Sequence, residues 1–285
     1  MANIIDGKAI AASVKEEVKN RVADFKKQYK KDITLAVVLV GEDPASKIYV
    51  SNKMKAAEYV GIKSLSFTLP AFSSQESVET LVKSLASDKS VDGILVQLPL
   101  PKGLDADKIL SLIPAEKDVD GFSAENMGAL ALFKECVAPC TPSGIIRLIK
   151  STGVDLSGKY AVIVGRSNIV GKPVALMLLK ENCTVTICHS KTQNLKEITS
   201  KADILVSAIG SPNFITEDMV KENAVVIDVG INRTEAGLTG DVDFNAVKEK
   251  AAFITPVPGG VGPMTIAMLM SNACDCALRR KLRGI

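Results

Sequence analysis

Histidine and aromatic residues are scarce in this sequence. Histidine occurs once, at His189, and aromatic residues make up 4% of the chain. A single histidine excludes a multi-histidine metal site, and any hydrolytic Ser-His pair would depend on this one residue. The net charge of +3 is spread over both signs without a basic stripe, so nucleic acid is not expected as a partner.

Long hydrophobic runs and paired cysteines are also missing. Apolar runs such as LAVVLV and VVIDV fall far short of the roughly 20 residues of a membrane span, and the N-terminal residues do not resemble a secretory signal. The six cysteines include no Cys-x-x-Cys pair, which predicts reduced and mostly buried thiols. We therefore expect a cytoplasmic protein with no membrane partner.

Strand and helix patterns alternate through the first third of the chain. An amphipathic helix over 8–29 precedes strand TLAVVLV at 34–40, and a helix at 45–61 precedes strand SLSFTLP. Ser73, with Glu76 three residues later, resembles a capping box for the next helix. Near-continuous apolar strands in this order predict a parallel sheet covered on both faces by helices.

A second alternation runs from strand YAVIV to AFITPV and predicts a second doubly wound lobe, of the Rossmann type that binds dinucleotides. The last helix, MTIAMLMSNACDCALRRKL, is apolar on more than one face, so it is expected to return to the first lobe. The predicted fold is thus α/β with two doubly wound lobes. One lobe is formed by residues 1–120 and 265–285, and the other by residues 140–264.

The stretch VGRSNIVGKP has the outline of a dinucleotide-binding turn. A buried strand precedes Gly165 and an apolar helix follows Gly171, so backbone N–H groups at the helix start would face a phosphate. The spacing of these glycines is one residue too long for a Walker A loop, and Lys172 is followed by Pro173 instead of a serine or threonine. The pattern favours a Rossmann turn over a phosphate-transfer loop.

The end of the next strand indicates which dinucleotide fits. About 20 residues after the glycine turn, an aspartate or glutamate binds the adenosine ribose of NAD, but here the strand ends in Cys188, His189, Ser190 and Lys191. A cation and a hydroxyl at this place, together with Arg166 from the turn, suit the additional phosphate of NADP. The alternative is a solvated loop whose cations bind no ligand.

Polar residues of the first lobe are candidate substrate contacts. Tyr49 and Lys53 are four residues apart and share one helix face, where an ordinary surface pair is the alternative. Gln97 ends the third strand, at the edge of a sheet where ligands bind, although an amide at a strand end is often just solvated. In KDVDGF, Asp118 and Asp120 either form Asx-type turn bonds or present a carboxylate to the N–H groups of a heterocycle.

The stretch TPVPGGVGPMT before the last helix holds three prolines and three glycines in eleven residues. Such a backbone is rigid and allows close approach by other groups. It either forms a wall of the ligand site or serves as a crossover between the lobes.

Seven motifs occur in order over nearly the whole chain: YVSNK, VQLPLP, KDVDGF, PCTPSG, VGRSNIVGKP, CHSKT and PVPGGVGPMT. Together they resemble the bifunctional methylenetetrahydrofolate dehydrogenase/methenyltetrahydrofolate cyclohydrolase family. The resemblance implies a folate site between the two lobes, a homodimer formed through the nucleotide lobe, and two consecutive reactions on tetrahydrofolate derivatives. NADP first takes a hydride from the methylene bridge of the folate, and water then opens the methenyl product to 10-formyltetrahydrofolate.

The resemblance also implies roles for individual residues. Lys53 assists proton movement around the attacking water, Gln97 holds its ammonium group, and Tyr49 stacks on the folate. Asp120 binds the pterin ring. The residues implied to shape the folate pocket are Leu98, Pro99, Gly262 and Pro263. The residues implied to contact NADP are Gly165, Arg166, Ser167, Ser190 and Ile231.

Two other functions fit part of the pattern. A dehydrogenase of similar two-lobed plan would act on an unrelated small acid, as shikimate dehydrogenases do, and would not turn over methylenetetrahydrofolate. A nucleotide-binding module without catalysis would form no NADPH, and the presence of both Lys53 and Gln97 argues against it.

Overall fold

The computed structural model describes residues 1–235 and 237–284. The chain divides into two compact units, each with its own parallel sheet. The six-stranded unit consists of Met1–Ala11 and Thr141–Thr265, and the three-stranded unit of Ala12–Cys140 and Ile266–Ile285.

Helices and strands alternate along most of the described chain. The helices are α1 (Gly7–Tyr29), α2 (Pro44–Val60), α3 (Gln75–Ser87), α4 (Ala106–Leu110), α5 (Ala124–Ala131), α6 (Cys140–Lys150), α7 (Gly171–Lys180), α8 (Leu195–Thr199), α9 (Phe244–Val247) and α10 (Val261–Leu282). The strands are β1 (Asn3–Ile4), β2 (Thr34–Val40), β3 (Lys63–Leu69), β4 (Gly93–Val96), β5 (Tyr160–Val164), β6 (Thr184–Cys188), β7 (Ile204–Ser207), β8 (Val225–Asp228), β9 (Asn232–Thr234), β10 (Gly237–Thr239) and β11 (Phe253–Ile254).

The three-stranded unit contains a parallel sheet with strand order β3-β2-β4. Its central strand β2 is buried at every position, as predicted for a strand covered on both faces. The helix α2 begins where Asp43 accepts the backbone N–H of Ser46 at 2.7 Å, and it ends at Gly61 in a left-handed conformation with φ 83°. These caps fix the helix that carries Tyr49 and Lys53 directly after β2.

The six-stranded unit contains a parallel sheet with strand order β1-β11-β8-β7-β5-β6. The strand β5 lies between β6 and β7, so the direction of winding reverses at the carboxyl end of β5. Ligands of open α/β sheets bind at this reversal point. The strand order confirms the prediction of a doubly wound, Rossmann-type lobe in the second half of the chain.

The first residues of the chain lie in the six-stranded unit. The strand β1 pairs with β11 in parallel, with Asn3 opposite Phe253 and Ile4 opposite Ile254. The sequence-based prediction placed all of residues 1–120 in the first lobe. A strand of two residues is too short to show a periodic pattern, which explains the difference.

The C-terminal half of α10 packs in the three-stranded unit. Asn272 Nδ2 donates hydrogen bonds to the carbonyl oxygens of Val119 and Ala138, each at 2.8 Å. Arg280 forms a buried ion pair with Asp92 at 3.2 Å. These contacts confirm that the last helix returns to the first lobe. By length and composition α10 is apolar enough to cross a membrane, and 56% of that apolar segment is buried inside the protein.

The start of α3 differs from the prediction by one residue. Ser74 caps this helix, because its Oγ accepts the backbone N–H of Ser77 at 3.2 Å. The predicted cap, Ser73, instead donates its N–H to the carbonyl oxygen of Pro70 in the preceding turn. The local pattern does not show which of the two adjacent serines caps the helix, because this depends on the hydrogen bond in the preceding turn.

Candidate active site

A lysine and a glutamine meet at the carboxyl end of β4. Lys53 Nζ on α2 donates a hydrogen bond of 2.9 Å to Gln97 Oε1. Gln97 directly follows β4 and is only 8% exposed, and its Nε2 donates to the carbonyl oxygen of Leu98. Both the oxygen and the nitrogen of the side-chain amide form hydrogen bonds, so the direction of the oxygen is fixed. Gln97 is therefore not a solvated residue at a strand end.

Tyr49 lies one helical turn before Lys53 on the same face of α2. Its side chain is 46% exposed, whereas Val50 on a neighbouring face is buried. The ring is therefore open to a planar ligand that stacks on it. Leu98 and Pro99 follow at the end of β4, and Pro99 is exposed.

Asp120 belongs to the same group of residues. Burial raises the pKa of its carboxyl to about 6, the charge of Lys53 opposes this rise, and the charge of Asp118 adds to it. A cation that acts on the carboxyl in this way lies near it, and the same Lys53 donates its hydrogen bond to Gln97. The structure therefore brings Lys53, Gln97 and Asp120 together.

The two aspartates of KDVDGF have different structural roles. Asp118 is buried and accepts hydrogen bonds from the backbone N–H groups of Gly121 and Ser123, at 3.0 and 2.7 Å. The side-chain amide of Asn126 adds a third, at 3.2 Å. These are the Asx-type bonds of a turn, so that alternative applies to Asp118. Asp118 shapes the loop on which Asp120 is presented.

The glycine turn connects β5 to α7. Gly165 has φ 129°, and a Cβ at this position would lie 2.3 Å from the carbonyl oxygen of Ala208. A Cβ on Gly171 would lie 2.1 Å from the carbonyl oxygen of Gly165. Close backbone approach therefore requires glycine both at the turn and at the start of the helix, as in a dinucleotide-binding turn.

Arg166 and Ser190 lie at one edge of the six-stranded sheet. The register pairs Val164 of β5 with Cys188 of β6, and the two site residues each follow this pair by two positions. Both side chains are exposed, as is that of Lys191. A phosphate with two negative charges at this edge would meet a guanidinium, an ammonium and a hydroxyl. None of the residues that end β6 is acidic, which fits NADP.

Ser167 completes the start of α7. Its Oγ accepts the backbone N–H groups of Val170 and Gly171, at 3.1 and 3.3 Å. Both bonds use the oxygen as acceptor, which leaves the hydroxyl hydrogen for donation to a ligand phosphate. Ser167 therefore shapes the turn through its hydroxyl oxygen.

Ile231 follows β8 in the six-stranded unit and is 51% exposed. Its Cδ1 lies 3.8 Å from the position that a Cβ on Gly262 would occupy, in the first turn of α10. Pro263 is the next residue of that turn. A residue predicted to contact NADP and one predicted to shape the folate pocket are thus neighbours within one unit.

Two buried aspartates at the ends of β8 and β10 are not among the residues predicted from the sequence. Asp228 is 3% exposed and Asp241 is fully buried. Burial raises the pKa of the Asp228 carboxyl to about 6, although hydrogen bonds from three backbone N–H groups favour its charged form. The feature of the sequence that could have indicated these two aspartates is a glycine close to each, in IDVG and TGDV.

Metal ligands are not grouped in the part of the chain that the structure describes. No cluster of three or more histidine, cysteine, aspartate or glutamate side chains among those residues could hold a metal ion. Five of the six cysteines are buried, as the cysteine spacing predicts. The groups that the two candidate sites present are an amine, an amide, a carboxylate and the backbone of the dinucleotide turn.

Two domain models of one protein family match the chain. The tetrahydrofolate dehydrogenase/cyclohydrolase catalytic domain matches residues 5–120, and the NAD(P)-binding domain of that family matches residues 139–281. The chain belongs to the tetrahydrofolate dehydrogenase/cyclohydrolase family.

Individual members of this family are similar to the chain over nearly its full length. The bifunctional protein FolD of Agathobacter rectalis is 56% identical over 281 residues, which cover 98% of this chain and 100% of the relative. The crystal structure of the bifunctional enzyme FolD from Campylobacter jejuni is 50% identical, with a TM-score of 0.95, covering 98% of this chain and 100% of the other. The structure of the Trypanosoma brucei dehydrogenase-cyclohydrolase, complexed with NADP and an inhibitor, is 38% identical, with a TM-score of 0.92, covering 99% of each chain.

Membership of the tetrahydrofolate dehydrogenase/cyclohydrolase family confirms the function predicted from the sequence. The protein is a bifunctional enzyme of folate one-carbon metabolism that combines an NADP-dependent methylenetetrahydrofolate dehydrogenase with a methenyltetrahydrofolate cyclohydrolase. Its substrates are tetrahydrofolate derivatives. A dehydrogenase of another small acid and a nucleotide-binding module without catalysis are thereby excluded.

Proposed function

We propose that the hydrolytic reaction of this enzyme depends on Lys53, held in place by Gln97, and that Arg166 selects NADP for the oxidation. The hydrogen bond of 2.9 Å between Lys53 Nζ and Gln97 Oε1 carries this proposal, because a buried amide fixes the amine at the edge of the sheet where ligands bind. The first reaction converts 5,10-methylenetetrahydrofolate and NADP to 5,10-methenyltetrahydrofolate and NADPH. The second adds water and releases a proton to give 10-formyltetrahydrofolate.

The oxidation makes few demands on protein side chains. The lone pair of the neighbouring nitrogen forms a C=N bond as the C–H bond of the methylene bridge breaks, so the substrate stabilises its own cation. NADP, when bound, supplies the acceptor for the departing hydride. Tyr49 stacks on the folate and orients it, and the Asp120 carboxylate accepts hydrogen bonds from the pterin N–H groups. A protein with one histidine can therefore perform this reaction.

The hydrolysis requires a group that moves protons. Water attacks the methenyl carbon and loses a proton, and one C–N bond then opens to leave the formyl group on the remaining nitrogen. Lys53 assists this proton movement, a kind of contribution that is typically worth about 10²- to 10⁴-fold in rate. Gln97 accepts a hydrogen bond from Lys53 and so limits the directions in which the amine points.

The dinucleotide turn and its neighbours hold NADP. Arg166 and Ser190 bind the additional phosphate, since both follow the last residue pair of β5 and β6 by two positions. Gly165 allows the backbone to approach the ligand, Ser167 donates its hydroxyl hydrogen, and Ile231 provides an apolar contact.

Leu98 and Pro99, which follow β4 in the three-stranded unit, form walls of the folate pocket. We assign folate binding to the three-stranded unit, Ala12–Cys140 and Ile266–Ile285, and NADP binding to the six-stranded unit, Met1–Ala11 and Thr141–Thr265.

The enzyme is a cytoplasmic homodimer that pairs through its nucleotide lobe and has no nucleic-acid or membrane partner. The dispersed charge and scarce aromatic residues support the absence of a nucleic-acid partner. Light scattering on the purified protein should give twice the chain mass of 30.2 kDa. A mass equal to one chain at micromolar concentration would contradict the dimer.

Replacement of Gln97 by leucine should slow hydrolysis but leave part of it. Leucine has a similar size and cannot accept the hydrogen bond of Lys53, and a bond to a charged group contributes about 1.5–3 kcal/mol. We expect kcat for methenyltetrahydrofolate, supplied without a dinucleotide, to fall by about tenfold or more, which is less than the loss in Lys53→Ala. An unchanged kcat, measured by the disappearance of methenyl absorbance, would rule out the positioning role of Gln97.

Folate binding should weaken as the pH falls below about 6. Burial raises the pKa of Asp120 to about 6, so the carboxylate that accepts the pterin N–H groups becomes protonated below that pH. We expect KM for the folate substrate to rise by up to about tenfold per pH unit between pH 6 and 5, and to be level above pH 7. Asp120→Asn keeps the size of the side chain and should remove this inflection. An equally steep rise in Asp120→Asn would assign the titration to another group.

A further inference from the structure

Asp228 joins two segments at one edge of the six-stranded sheet. Its Oδ1 accepts the backbone N–H groups of Gly230 and Asp241, each at 2.9 Å. Its Oδ2 accepts the N–H of Val242, also at 2.9 Å. The carboxylate that ends β8 therefore fixes both the loop after β8 and the segment after β10.

Asp241 in turn holds the loop after β7. Its carboxylate accepts three successive backbone N–H groups, those of Ile209 at 2.7 Å, Gly210 at 3.1 Å and Ser211 at 3.0 Å. Asn232 donates its side-chain amide to the same carboxylate at 3.0 Å. Asp241 thus connects the loop after β7 to the residue that directly follows Ile231.

Two glycines leave room for these carboxylates. A Cβ on Gly230 would lie 2.2 Å from Oδ1 of Asp241, and a Cβ on Gly240 would lie 1.8 Å from Oδ2 of Asp228. Two buried carboxylates in one cluster are costly for folding, and the charge of Asp241 adds to the raised pKa of Asp228. Buried acids with a raised pKa, as Asp228 has, are concentrated at functional sites.

The loops that the two aspartates hold lie beside the dinucleotide turn. The carbonyl oxygen of Ala208, at the start of the loop after β7, is the atom that a Cβ on Gly165 would meet. A dinucleotide bound across the reversal point has one half over β6 and the other over β7 and β8. Because Arg166 and Ser190 mark the side of the adenosine phosphate, the nicotinamide half belongs to the side of β7 and β8.

We propose that Asp228 and Asp241 are positioning residues of the dehydrogenase reaction. They hold the turn at 209–211, and through Gly230 and Asn232 the residues on either side of Ile231, in the geometry that receives the nicotinamide half of NADP. The cyclohydrolase reaction consumes no dinucleotide and does not depend on them. This inference rests on the assignment of the glycine turn to NADP.

Asn232→Ala and Asp241→Asn test the inference, with Asn245→Ala as the matched control. Asn232→Ala removes one donor to Asp241 and leaves the buried pair in place, whereas Asn245 is an exposed asparagine of the same unit. We expect Asn232→Ala to raise both the Kd of NADP, measured by calorimetry, and KM for NADP by about three- to tenfold. Asp241→Asn should raise them further. Hydrolysis of methenyltetrahydrofolate without a dinucleotide should stay within about twofold of wild type.

Two results would overturn the inference. One is NADP binding by Asn232→Ala that equals binding by Asn245→Ala. The other is a parallel loss of both activities, which would mean that the carboxylates only support folding. If Asp241→Asn does not fold, Asn232→Ala decides alone. Calorimetry measures NADP binding without turnover. A wild-type protein that binds NADP but oxidises no folate would contradict the proposed function. The comparison of NADP binding by Asn232→Ala and Asn245→Ala would still be valid in that case.

Discussion

Lys53→Ala should remove cyclohydrolase activity while the folate still binds. In the proposed mechanism, the substitution deletes the amine that assists proton movement around the attacking water, and such assistance is worth about 10²- to 10⁴-fold in rate. Tyr49 and Asp120 remain to stack on the folate and to bind the pterin, so KM and inhibitor affinity should change by only a few fold. Of the substitutions proposed for the hydrolytic reaction, this one should have the largest effect.

Hydrolysis of methenyltetrahydrofolate, supplied without a dinucleotide, is the measurement for Lys53→Ala. Lys55→Ala is the matched control, because Lys55 is an exposed lysine of the same helix and lies two residues further along. The control should keep the wild-type rate. Hydrolysis by Lys53→Ala at nearly the wild-type rate would show that Lys53 does not perform the assigned role.

Arg166→Ala should weaken the binding of NADP much more than that of NAD. In the proposed assignment, the guanidinium pairs with the additional phosphate, which NAD lacks, and a hydrogen bond to a charged group contributes about 1.5–3 kcal/mol. We therefore expect the Kd of NADP to rise by about ten- to hundredfold, with little change for NAD. The ratio of kcat/KM for the two dinucleotides should fall accordingly.

Steady-state kinetics with both dinucleotides measures this preference. Lys180→Ala is a suitable control, since Lys180 is an exposed cation in the last turn of α7, at the opposite end of the helix from the glycine turn. Its NADP preference should equal that of the wild type. Equal losses for NADP and NAD in Arg166→Ala would contradict the phosphate assignment and place the arginine elsewhere on the ligand.

Local patterns predicted most of the fold. The glycine turn follows from a strand, two glycines and an apolar helix that are contiguous in sequence, and the structure confirms that both glycines are required by close backbone approach. The buried strand β2 also follows from its continuous apolar run. The two-residue strand β1 and the choice between Ser73 and Ser74 depend on contacts outside the local window, so the sequence pattern does not determine them.

The sequence names candidate site residues, but it does not reveal all of their contacts. The motif KDVDGF contains both Asp118 and Asp120. Their different roles become visible only in the structure, where Asp118 accepts the backbone hydrogen bonds of the turn. The carboxylate of Asp241 binds loop residues about thirty positions earlier in the chain, a separation that no periodicity reveals. For this physical reason the local pattern does not single out Asp228 and Asp241, although a glycine near each leaves the space that their carboxylates occupy.

One incubation tests most directly whether this chain performs both reactions with Lys53 in the second. Purified wild-type protein and Lys53→Ala are each supplied with 5,10-methylenetetrahydrofolate and NADP, and NADPH, methenyl and 10-formyl products are quantified together. The wild type should form NADPH and 10-formyltetrahydrofolate in equal amounts, and Lys53→Ala should form NADPH while the methenyl compound accumulates. Absence of NADPH with the wild-type protein, or equal formyl production by the two proteins, would contradict this account.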